Sequence, residues 1–126
     1  MENLERSYRA LLVSASVKMN AALQPILSDN GCTQVTVMPD VSSARQSVLE
    51  NAYDLVLINA PLPDEYGTRF ALDLCASGSA GILLLVKAEN FGEINARVAP
   101  FGVLTLSKPT SPQIVSQSLT LLCATR

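Results

Sequence analysis

Five short apolar runs alternate with five helical patterns along this chain, and that alternation constrains the fold more than any single residue does. Tyr8–Val13 predicts a first strand. Residues 17–30 follow with Met19, Leu23, Ile26 and Leu27 at helical spacing, and Asn30-Gly31 stops them. Residues 34–38 alternate as a second strand. Ser42 or Asp40 caps a second helix whose inward positions are Ala44, Val48 and Leu49. Residues 54–58 and 81–86 are apolar almost throughout, as central strands between two helix layers should be. Between them Thr68 caps a third helix with Phe70, Ala71, Leu74 and Cys75 inward, and Ser77-Gly78-Ser79 makes a turn. Residues 89–99 form a weaker fourth helix interrupted by Gly92. Residues 102–106 are a fifth strand. Ser111 as cap and Pro112 at the first helical position open a fifth helix, with Val115, Leu119 and Leu122 inward.

Strict alternation of strand and helix implies a parallel sheet covered on both faces. For five units the expected architecture is α/β, a (βα)5 flavodoxin-like fold with strand order 2-1-3-4-5. The whole chain, residues 1–126, reads as one domain. In such sheets the functional crevice lies beyond the carboxyl ends of the strands. Those ends supply Ser14-Ala15, Asn59, Lys87-Ala88 and Ser107-Lys108. No Gly-rich loop follows the first strand, so a phosphate-cradling nucleotide site is unsupported.

Composition removes whole classes of chemistry. The chain has no histidine, which excludes a Ser–His triad and His-based acid–base work. Its three cysteines, Cys32, Cys75 and Cys123, form no CxxC pair, so neither a zinc site nor a disulfide framework is expected. Asp64, Glu65 and Tyr66 read as a solvated loop rather than catalytic groups, and no enzyme activity is expected. The net charge of −2 offers no overall positive field to nucleic acid or acidic lipid. No run reaches the ~18–20 apolar residues of a membrane span, and the charged start, Met1 to Arg6, lacks a signal-peptide core. A cytoplasmic location is expected. The closing segment, Leu121 to Arg126, carries no stop signal, so the fifth helix is expected to continue in a longer protein.

The segment from Asp54 to Gly67 resembles the centre of a two-component receiver domain: Asp, four apolar residues, an acceptor position, then a loop with Leu62-Pro63 and Gly67. Lys108-Pro109 after the fifth strand matches a second receiver signature, and the likeness spans nearly the whole chain. The resemblance implies that Asn59 stands at the phosphoacceptor position, where receivers have Asp. It places Ser14 and Ala15, or Ala15 and Ser16 in a shifted register, where receivers have the acids that hold magnesium. No magnesium or other cofactor is therefore expected, since that ion needs carboxylate oxygen. The switch positions, Thr or Ser in strand four and an aromatic in strand five, are Lys87 and Thr105 here. Lys108 is the retained family lysine, and Pro109 is expected after a cis bond.

The resemblance thus implies an atypical pseudo-receiver that acts without phosphorylation, through a protein partner or a homodimer at the helix-four, strand-five, helix-five face. It also looks like the regulatory half of an ANTAR-class antitermination regulator, with RNA bound only by a C-terminal domain outside these residues. The alternatives are the receiver half of a DNA-binding response regulator and a stand-alone sensor of a small anion or metabolite. Lys87 beside Lys108, with three acids lost, makes a candidate anion site. The plainer and preferred reading of Lys87 is a strand-end charge reaching solvent.

Overall fold

A computed structural model describes residues 7–78 and 80–124. The sheet is parallel throughout, in the order β2-β1-β3-β4-β5. The strands are β1 (Tyr8–Val13), β2 (Cys32–Met38), β3 (Leu55–Asn59), β4 (Gly81–Lys87) and β5 (Leu104–Lys108). The helices are α1 (Val17–Asp29), α2 (Val41–Glu50), α3 (Thr68–Ser77), α4 (Phe91–Val98) and α5 (Pro112–Ala124). This is the flavodoxin-like architecture that the alternation predicts.

Alternate residues of the central strands feed two separate cores. Leu11, Val13, Val56, Ile58, Leu84 and Val86 pack with α2, α3 and α4 through Ala44, Phe70, Ala71, Ile94 and Val98. Ala10, Leu12, Leu55, Leu57, Leu83 and Leu85 pack with α1 and α5 through Leu23, Leu27, Val115 and Leu119. All five residues of β3 are buried. Each fully buried Leu, Ile or Phe contributes about 1.5–3 kcal/mol, so β3 and β4 anchor both layers. Gly81, at the start of β4, lets α5 approach: a Cβ there would meet Leu122 Cβ and Leu55 Cδ2, each at 3.2 Å.

Several local expectations are corrected. Leu49 is 81% exposed rather than inward. The inward stripe of α2 runs through Val41, Ala44 and Val48, and Leu49 lies a further 100° around the helix. The cap of α3 is Gly67, not Thr68, which is its first helical residue and is buried. Gly67 takes φ +115°, and a Cβ there would sit 3.0 Å from Ile58 Cγ2. Only glycine suits both demands. β2 starts at Cys32, because Tyr8 pairs with Cys32 while Arg9 pairs with Gln34, leaving Thr33 as an extra residue in the ladder. β5 starts at Leu104, because Gly102 takes φ +92° to close a 3-10 turn, Ala99–Phe101, after α4. α4 itself is shorter than expected, flanked by that turn and by a second, Ala88–Asn90. Gly92 lies in its first turn and does not break it.

Other signals hold. Asp40 Oδ1 accepts from Ser43 N at 2.8 Å as the α2 cap. Ser111 Oγ accepts from Ile114 N at 3.2 Å, with Pro112 opening α5. Asn30 and Gly31, the latter at φ +92°, end α1. Ser79, Met1 to Arg6 and the last two residues lie outside the described residues, as does the expected continuation of α5. No helix among the described residues is long and apolar enough to cross a membrane.

Candidate functional site

The carboxyl ends of β1, β3, β4 and β5 converge, and they bring together most of the residues singled out in the sequence. Asn59, the last residue of β3, is 6% exposed and is held at both ends of its amide. Lys108 Nζ donates to Asn59 Oδ1 at 2.7 Å and to the carbonyl of Ala60 at 2.6 Å. Asn59 Nδ2 donates to Ser14 Oγ at 3.1 Å. An ammonium can only donate, so the lysine fixes which end of the amide faces it. Ser14, which is 1% exposed, also accepts from Ser16 N at 3.3 Å.

The register after β1 follows from these contacts. Ser14 faces Asn59, Ala15 is exposed, and Ser16 Oγ accepts from Met19 N as the α1 cap. Lys87 ends β4 directly opposite Lys108 in the β4–β5 ladder and is exposed. Burial and then the charge of Lys87 push the Lys108 ammonium below its ordinary value. The Lys108–Pro109 bond is cis, as expected, and so is Ala60–Pro61, which the sequence reading did not single out.

Asp64 is exposed, as expected of a loop residue, and it also holds α2. Its two carboxylate oxygens accept from Val41 N at 2.9 Å and Ser42 N at 2.8 Å. With Asp40 on Ser43 N, two carboxylates serve the first three N–H groups of α2. The bond from Val41 is the leading cause that lowers the Asp64 carboxyl from its usual range, and that from Ser42 adds to it. Arg45 extends the same contact, 2.9 Å from Asp73 and 3.9 Å from Glu65, with its guanidinium over the Phe70 ring. Tyr66 Oη donates to Asn90 Oδ1 at 3.3 Å, joining the loop to the start of α4. Apart from the local Asp40 cap, no motif announces these pairings, because the partners lie roughly 20–28 residues apart in sequence.

No protein-family model matches the chain, and no curated protein sequence does. Solved structures do. The signal receiver domain of an HD domain-containing protein from Pseudomonas fluorescens Pf-5 superposes with TM-score 0.79 at 23% identity, over 100% of this chain and 96% of that one. A two-component response regulator from Clostridium difficile gives 0.80 at 16% identity, over 93% and 96%. Chemotaxis response regulator CheY4 of Vibrio cholerae gives 0.78 at 20%, over 92% and 98%. The fold is that of a receiver domain.

In the receiver frame the crevice has an unusual donor set. It offers the Ser14 hydroxyl, an amide oxygen already taken by Lys108, and a nearby ammonium. These do not fit a magnesium ion, which needs oxygen ligands, usually including a carboxylate, and is repelled by the ammonium. Among the described residues no cluster of three or more His, Cys, Asp or Glu side chains is placed to hold a metal. Thr105, at the receiver's aromatic position, is 6% exposed, and its Oγ1 has no hydrogen-bond partner among the described residues. It pairs with Leu84 in the ladder and so shares the face that packs on α4.

Proposed function

We propose that this chain is a receiver-like regulatory domain of a two-component-type response regulator that works without phosphoryl transfer. The observation that carries the reading is the Asn59 amide, fixed between Lys108 Nζ and Ser14 Oγ. A neutral amide has no anionic oxygen with which to attack a phosphoryl donor. Its neighbours supply no carboxylate for the metal that such a transfer uses.

Output then depends on binding at a surface, through a protein partner or a second copy. The α4–β5–α5 side is the favoured surface, because the large apolar side chains of Phe101, Ile114 and Leu121 are exposed on the turn after α4 and on α5. RNA recognition and antitermination belong, in this reading, to an ANTAR-type domain joined beyond α5. The described domain itself is acidic and carries no basic, aromatic platform for RNA.

The experiment is an amide NMR spectrum with magnesium and either acetyl phosphate or a beryllium fluoride mimic. Magnesium is expected to add no change beyond what the same anion produces with a chelator present. Magnesium-dependent shifts centred on Asn59 would overturn the reading.

A further inference from the structure

Lys87 and Lys108 end neighbouring strands in register, and such strands lie about 4.8 Å apart. Paired residues of adjacent strands project to the same side of the sheet. The Lys108 ammonium is already disfavoured by burial and by Lys87, so the two charges interact.

No carboxylate at this end of the sheet answers them among the described residues. Asp40 and Asp64 are both turned to the backbone of α2. Glu65 lies toward Arg45. Glu89 stands two residues beyond Lys87 on an exposed turn and makes no ion pair with either lysine. Lys108 uses two of its three N–H groups on Asn59 and Ala60, which leaves one to give. Lys87 is exposed with its ammonium uncommitted by any ion pair among the described residues.

We propose that this crevice binds a small tetrahedral oxyanion, of phosphate or sulfate chemistry, without a covalent bond and without a metal, held by Lys87 and Lys108. An anion there relieves the repulsion between the ammonium groups and supplies the acceptor that each lacks. The ligand spans β4 and β5 next to α4, which is linked to the crevice loop through Tyr66 and Asn90. The inference goes beyond the regulatory reading and requires no chemistry at Asn59, so either can fail without the other.

The test is a titration of orthophosphate at constant ionic strength with a chelator present, read by melting temperature and amide shifts. A saturable rise in melting temperature is expected, with shifts at Lys87, Ala88 and Lys108, and sulfate should reproduce both. Lys87→Ala, at an exposed position, should weaken the apparent affinity at least about tenfold. Lys87→Gln, which keeps the side-chain length, should do the same. A response no larger than that to chloride overturns the proposal, as does either variant binding like the parent. Acetate binding as tightly as phosphate overturns the tetrahedral assignment.

Discussion

Asp64 accepts a hydrogen bond from the backbone N–H of Val41 at 2.9 Å, and this contact clamps the loop after β3 to the start of α2. The carboxylate form makes the contact, so the Asp64 carboxyl titrates below the ordinary aspartate range. A depressed folded value stabilises the protein above the unfolded value, and the contribution disappears as pH falls through the folded one. Asp64→Asn should therefore lower the urea midpoint near neutrality and flatten the acid limb of the stability profile. Parallel profiles for the two proteins below the unfolded value and above it would sink this account.

Asn59→Asp places a carboxylate against Lys108 Nζ, where the amide oxygen now sits at 2.7 Å. Lys108 should then titrate higher, because an anion within bonding distance favours its charged form. Acetyl phosphate with magnesium should still fail to label this variant, since Ser14 and Ala15 bring no carboxylate. Asn59→Ala behaves differently, leaving the Lys108 ammonium short of an acceptor in a half-buried site. It should cost about 1–3 kcal/mol in equilibrium unfolding. Labelling of the Asp variant by radioactive acetyl phosphate would show the metal argument to be wrong.

Cys32 is 2% exposed at the start of β2, and burial pushes its thiol from 9.0 up to about 11. A raised folded value stabilises the protein fully below the unfolded value and is lost as pH climbs through the folded one. Stability should fall between those two values by about 2–3 kcal/mol from this group. Lys108 acts in the opposite sense: its folded value is depressed, so its penalty fades as pH rises toward 10.5. Comparing Cys32→Ala with the parent isolates the thiol. The variant should lose the alkaline decline specific to Cys32, and denaturant midpoints across this window check it.

Thr105 Oγ1 is buried with no partner among the described residues. Such a hydroxyl is desolvated without return, at a cost of about 1–3 kcal/mol. Thr105→Val keeps the shape and removes the oxygen, so it should stabilise the protein and raise its melting temperature. A lower melting temperature would mean that the hydroxyl has a partner.

The strands that face helices on both sides were legible because burial on both faces leaves continuous apolar runs at 55–58 and 81–86. The crevice was legible at Ser14, Asn59, Lys87 and Lys108, because strand ends converge once the order of the sheet is known. Leu49 misled because apolarity alone does not give a residue's angle around a helix. Gly67 was read as part of the loop and Gly102 as the first residue of the fifth strand, whereas their positive φ values set where α3 and β5 begin. The Asp64 clamp was illegible: it joins residues 23 and 22 positions apart, and only the folded sheet brings them together.

The bare Cα of Gly81 has a mechanical consequence. Leu122, in the last turn of α5, rests where a side chain on β4 would otherwise stand. β4 also carries Lys87 at its far end. A methyl group added at Gly81 would act as a wedge between β4 and α5, pressing on Leu122 and Leu55 at the end of the sheet opposite the site and touching none of its residues.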